Sequence, residues 1–263
     1  MTEALPIINL STTMTPSFIL VFARISAMMF IMPFFSSSSI PVKVRVMISV
    51  VLAFIVLPSL SGYIPIENLS FGNFTMAIVR EIAIGLTIGF GGLIIFEAIS
   101  FAGMIAGRQM GLGMLQLFDP SLGMQTSLVG QFWLSLMLII FLSLGMHNFL
   151  IGVIFQNFQH IPPGAGVFTP ELGHSIVKSS NEIFTLGVKL AAPAIVFMLS
   201  IDTAIALMAR IMPTLPVFII ALPLKMAIGL YVVSISMQIF QTIAGVLYND
   251  FQNVFQKIIF QLT

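Results

Sequence analysis

Six stretches of the chain are apolar for long enough, or nearly so, to cross a bilayer: Ser17 to Phe35, Val46 to Leu60, Ala77 to Ile105, Met124 to Phe158, Ile183 to Ile211 and Val217 to Val246. A crossing helix needs about 20 apolar residues, so the pattern predicts an all-α membrane chain with short connections. The fourth stretch is too long for one crossing. No Asp, Glu, Lys or Arg occurs between Pro120 and Pro170, and a straight helix over most of that run would reach about 70 Å, against about 30 Å of hydrocarbon. The sequence therefore predicts a break at Gly145-Met146-His147-Asn148, with the following arm ending at His160-Ile161-Pro162-Pro163-Gly164. Pro33, Pro58, Pro193, Pro213, Pro216 and Pro223 lie inside or at the edges of other spans, where a missing backbone donor predicts kinks and interruptions. Polar turns are expected at Ser36 to Ser39 before Pro41 and at Tyr63 to Gly72. The longest connection, Ile161 to Asn181, is too short to fold alone, and no internal repeat stands out.

Ionisable residues interrupt this pattern. Arg24, Glu97, Lys189, Asp202 and Lys225 lie within apolar runs, and Arg108 closes one. A central Arg, Lys or Asp costs about 3 kcal/mol on insertion scales, which a run of Leu, Ile and Phe absorbs, but lipid exposure of such a group is unfavourable. On helices, Lys189 and Asp202 point about 140° apart, and Glu97 and Arg108 are about three turns apart, so neither pair closes locally. These six are the candidate buried charges. Either they pair between helices and with partner subunits, or some line a wet conduit.

Composition supports the membrane reading: 58% of the 263 residues are hydrophobic and 7% charged, against about one quarter charged in a soluble domain. A formal charge of +1 writes neither a nucleic-acid groove nor an anionic substrate site into the totals. Cationic loop residues divide as Lys43, Arg45, Arg108 and Arg210 against Arg80, Lys178 and Lys257, which is too even to orient six crossings and points to an unconventional arrangement. The start, Met1 to Ser17, has Glu3 and no cationic patch, and Arg24 interrupts the first apolar run, so a cleaved signal peptide is not expected.

Zero Cys removes disulfides and thiolate chemistry, and three scattered His do not make a metal cluster. No His-Glu-x-x-His or Gly-x-Ser-x-Gly motif occurs, and Asp202 has no second carboxylate at dyad spacing, so no catalytic residue, cofactor or metal is assigned. His147 reads as a helix-end residue. A small-solute transporter fits six spans with internal charges, although no half of the chain repeats the other.

Gly85 and Gly89, then Gly103 and Gly107, recur at four-residue spacing, which lets helix backbones approach closely. After them comes Met110-Gly111-Leu112-Gly113-Met114-Leu115-Gln116-Leu117-Phe118, closed by Asp119-Pro120. It is either an ordinary packed connection or a flexible apolar plug, in which Met fills irregular gaps and Gly lets the backbone move. Met28, Met29 and Met32, by contrast, read as core.

Several motifs together carry a family likeness. Phe22-Ala23-Arg24-Ile25-Ser26-Ala27 with Pro33, Ile40-Pro41-Val42-Lys43-Val44-Arg45, Arg80-Glu81-Ile82-Ala83-Ile84-Gly85, Ala106-Gly107-Arg108-Gln109-Met110-Gly111, Phe118-Asp119-Pro120 and Gly145-Met146-His147-Asn148 with Ile161-Pro162-Pro163-Gly164 occur in the order of the FliR/SctT family. The chain resembles that family over nearly its whole length, with the virulence-type secretion subunit as the nearest alternative. The resemblance implies a core subunit of the flagellar type III export gate in the bacterial inner membrane, partly raised towards the periplasm in the basal body. Its implied partners are FliP and FliQ in the same complex, FlhB and FlhA, membrane lipid, and the unfolded flagellar proteins that pass through. It also implies kinked helical hairpins in a hetero-oligomeric helical stack. A FliP-like part would occupy residues 1–180 and a FliQ-like hairpin 181–263, with the pore plug at Met110 to Phe118.

Overall fold

The computed structural model describes residues 5–36, 40–60, 70–114, 127–165, 170–214 and 220–236, with positions 245, 252 and 256, and its regular structure is helical throughout. Helix α1 spans Leu5–Ile31, α2 Pro33–Ser36, α3 Val42–Val56, α4 Phe71–Gln109, α5 Leu128–Ser143, α6 Met146–His160, α7 Pro170–Ile211 and α8 Ile220–Ser236. Short 3₁₀ turns follow α3 at Leu57–Leu60 and α4 at Leu112–Met114. Among the described residues three helical spans, Val42–Leu60, Phe71–Gln109 and Ile183–Ile211, are long and apolar enough to cross a membrane, and α5 and α6 reach that length only if counted together as one bent span.

Proline and glycine chemistry sets the breaks. Pro33 opens α2 directly after α1, Pro41 precedes α3, Pro58 lies in the 3₁₀ turn, and Pro213 follows the end of α7. Pro193 lies inside an uninterrupted α7. Gly145 takes φ +66° between α5 and α6, a left-handed conformation that other residues adopt at a steric cost. The chain bends there by 72°, at the predicted position, and α6 ends at His160 as the Pro162-Pro163 signal requires.

Two boundaries correct the sequence reading. The connection expected over Ile161 to Asn181 is helical from Pro170 onwards, so α7 has 42 residues. A proline is favoured at the first helical position, but few apolar residues precede Ile183 to mark the turns that follow. Likewise α4 begins at Phe71, inside the loop expected to run to Gly72.

Contacts group the chain into two compact units that interleave along the sequence: residues 1–93, 145–178 and 250–263 in one, 94–144 and 179–249 in the other. In the first unit the core is built from Leu20, Ile25 and the three methionines Met28, Met29 and Met32 of α1, with Ala53 and Val56 of α3, Ile84 and Ile88 of α4, and Leu150, Val153 and Phe158 of α6. A Cβ on Gly85 would stand 2.9 Å from that of Ala27, and one on Gly89 2.9 Å from the Met28 carbonyl oxygen, so α4 and α1 meet backbone to backbone. Arg45 donates to the carbonyls of Ser36 (3.2 Å) and Ile40 (3.0 Å), bracing the turn before α3.

In the second unit Ile95, Phe96, Ile99 and Ala102 of α4 pack with Trp133, Met137 and Phe141 of α5, Ala191, Ala194 and Met198 of α7, and Val232 and Val233 of α8. Gly103 lies against Gly130 of α5, where a Cβ would reach within 2.7 Å of the Gly130 nitrogen. Gly107 faces Ser127, whose hydroxyl donates to the Gly103 carbonyl at 3.2 Å. Gly187 of α7 crosses α4 at Ala98 and Phe101.

Candidate functional site

Arg24 is the most completely engaged ionisable group among the described residues. It is 2% exposed on α1. Its Nε donates to Glu81 Oε2 at 2.5 Å and Nη2 to Glu81 Oε1 at 3.0 Å, a two-pronged pair with a carboxylate that is itself fully buried on α4. Nη1 donates to Asn157 Oδ1 and to the Ile161 carbonyl, both at 2.8 Å, and the guanidinium carbon lies 4.4 Å from the centre of the Phe158 ring. The fork geometry of a guanidinium suits this shared recognition. Ile161 precedes a proline and is extended at φ −126°, as steric conflict with the proline ring demands. The backbone N–H of Gly164 completes the cluster by donating to Glu81 Oε1 at 2.7 Å. One cation thus fastens α1, α4, α6 and the turn after α6.

The other candidate charges are placed differently. Asp202 on α7 and Lys225 on α8 form an ion pair, both partly exposed. Glu97, Arg108 and Lys189 are exposed on this chain, and no ion pair joins them to another described residue. The structure therefore brings together Asp202 with Lys225, and Arg24 with a partner that the sequence reading did not single out. Glu81 appeared there only inside a motif, and Asn157 not at all. The signal for Glu81 was the need of Arg24 for an acid, which three carboxylates in the apolar runs could equally answer. Among the described residues no group of three His, Asp or Glu could hold a metal, and His147 is half-buried in the first turn of α6.

Of the candidate plug, Met110 to Met114 are described, and Leu115, Gln116, Leu117 and Phe118 lie outside the described residues. Met110 keeps a helical bond to the Ala106 carbonyl (3.0 Å), after which Gly111 turns to φ +78° and closes onto Arg108 (3.0 Å). A left-handed glycine just past the last helical turn is a favoured helix ending. The Met110 side chain is 1% exposed and fills a notch at Gly229 on α8, where a Cβ would overlap its Cγ and stand 2.6 Å from Cε and 2.9 Å from Sδ. Gly111 in turn faces Leu222, with a Cβ position 3.0 Å from Cδ1. Gly229 is a further residue the sequence did not reveal, because one glycine in an apolar helix carries no sign of what it faces.

Residues 15–251 match the family described as bacterial export proteins, family 1. The chain belongs to this family. Relatives of this export-family chain include the flagellar biosynthetic protein FliR of Aquifex aeolicus (strain VF5), 32% identical over 92% of this chain and 93% of its own length. That of Bacillus subtilis (strain 168) is 29% identical over 85% and 87%. The Yop proteins translocation protein T of Yersinia pestis is 32% identical over 68% and 69%. Family membership and the long apolar helices together make this an integral membrane component of a bacterial export apparatus.

Proposed function

We infer that the chain is a core subunit of a type III protein-export gate, and that the gate is the flagellar one. The observation that carries this reading is the family match over residues 15–251, with flagellar relatives aligned over most of both chains. Its partners in the gate are FliP and FliQ, with FlhB at the border and FlhA on the supply side, and its cargo is unfolded flagellar protein crossing the inner membrane. The chain acts without bond chemistry, by supplying part of a path and of its seal. Residues 1–180 form the FliP-like part and 181–263 the FliQ-like hairpin, a division by likeness that is separate from the contact units above. The Asp202–Lys225 pair, which links α7 to α8, supports the hairpin reading. Helices longer than a bilayer is thick support an assembly raised partly out of the membrane.

In this reading Met110 to Phe118 is the plug of the resting pore. It is apolar and glycine-broken, and it leaves a helix end fixed by packing. Complementing a strain that lacks the chain, with wild type and with a deletion of Leu112 to Leu117, tests both levels. Wild type restores export of filament proteins, while the deletion variant assembles and leaks small solutes at rest. Undiminished export in the strain lacking the chain overturns the gate assignment. A tight membrane around an assembled deletion variant overturns the plug.

A further inference from the structure

We propose that Gly229 of α8 is a positioning residue for the gate: its notch seats Met110 and thereby holds the head of the plug closed. The inference rests on the reading of Met110 to Phe118 as the plug, and adds the element that restrains it.

Two contacts carry it. The side chain of Met110 leaves the end of α4 and occupies the space that any residue but glycine would fill at position 229. The next residue, Gly111, abuts Leu222. Leu222 and Gly229 are seven residues apart, so they lie on one face of α8. That face meets Met110 and Gly111, the two residues that follow α4. Glycine inside a helix is unfavourable relative to alanine, and at 229 it is offset by this seat.

The hydrogen bonds of Met110 and Gly111 run back to α4, to Ala106 and Arg108, and the contacts described with α8 are apolar. The plug head is therefore held on its own helix by bonds and on α8 by packing alone. A thioether side chain with three rotatable bonds can leave such a seat and re-enter it. A shift of α8 releases the head without breaking a backbone hydrogen bond, which makes α8 the element through which the assembled gate controls its seal.

The chain has no cysteine, so Met110→Cys with Gly229→Cys gives it a single thiol pair, to be followed on this chain within the complete export apparatus. A disulfide needs Cβ atoms about 3.5–4.5 Å apart, and the Met110 Cγ already overlaps the Cβ position at 229. The pair is expected to oxidise in the assembled gate, read as loss of maleimide labelling. Export of filament proteins is then lost under oxidation and returns with reductant. Gly229→Ala, which unseats Met110, is expected to leak small solutes at rest while co-purification with partner subunits is unchanged. Failure of the thiols to join, or export indifferent to their joining, overturns the proposal, as does a tight Gly229→Ala gate. Where Gly229→Ala does not assemble, the disulfide arm decides alone. The deletion of Leu112 to Leu117 separates the two levels: a leaking deletion with a tight Gly229→Ala gate sinks the seat and leaves the plug standing, whereas a tight deletion sinks the plug itself.

Discussion

A guanidinium keeps its charge at any physiological pH, so Arg24 must be matched where it stands. Glu81, Asn157 and the Ile161 carbonyl match it there, and the guanidinium is buried among them. Removing one member of a buried pair leaves the other charge uncompensated, at a cost of about 3–5 kcal/mol, whereas replacing both with apolar residues is often near neutral. Arg24→Met is therefore expected to lower the unfolding temperature of the detergent-purified protein strongly, and Arg24→Met with Glu81→Leu to recover much of the loss. Thermal denaturation of the three proteins checks this; a double variant as unstable as the single one would contradict it. The sequence made Arg24 conspicuous because charge stands out in an apolar run. It did not disclose the partner, since pairing across 57 residues depends on how helices are stacked and not on spacing within one.

Helices here are joined by missing side chains as much as by present ones. At Gly103 a methyl group would strike the backbone of Gly130, while at Gly152 of α6 nothing lies within 4 Å of the added carbon. The same substitution therefore has opposite signs at the two sites. Gly103→Ala forces α4 and α5 apart and should destabilise by about 1–3 kcal/mol, the usual range for overpacking. Gly152→Ala should be neutral or stabilising by up to about 1 kcal/mol, from helix propensity alone. Denaturation of the purified variants distinguishes them, and equal effects would contradict a close α4–α5 approach at Gly103 and Gly130. Small-residue spacing marked Gly103 in the sequence, but the first turns of α7 were missed because apolar residues are sparse before Ile183.

Across the whole molecule, the helices divide into an inner and an outer class. Two thirds of the apolar window of α4 (67%) is buried within the chain, against 17% for those of α3 and α7. Phe54, Val196, Phe197 and Leu207 are among the large apolar residues left exposed on the outer helices. Glu97 on α4 and Lys189 on α7 are likewise exposed, without an ion-pair partner among the described residues. Ionisable groups on apolar helices face protein rather than lipid, so both are expected at contacts with other gate subunits. Glu97→Lys and Lys189→Glu should leave the unfolding temperature of the isolated chain unchanged and reduce co-purification with the partners. Reduced stability of the isolated chain with undiminished co-purification would count against this. The membrane class and the helical breaks were readable from hydrophobic runs and turn residues. The distinction between inner and outer helices was not, since both classes are equally greasy in sequence.

The Arg24 cluster also constrains the order of events during synthesis. Its acceptors lie 57, 133 and 137 residues downstream, so a ribosome must translate well past the midpoint before the cation of the first helix meets its last acceptor. Until then that helix has no finished binding site for its own charge, and the nascent chain needs a temporary wet or proteinaceous harbour, such as the insertion machinery itself, to keep Arg24 out of bare lipid.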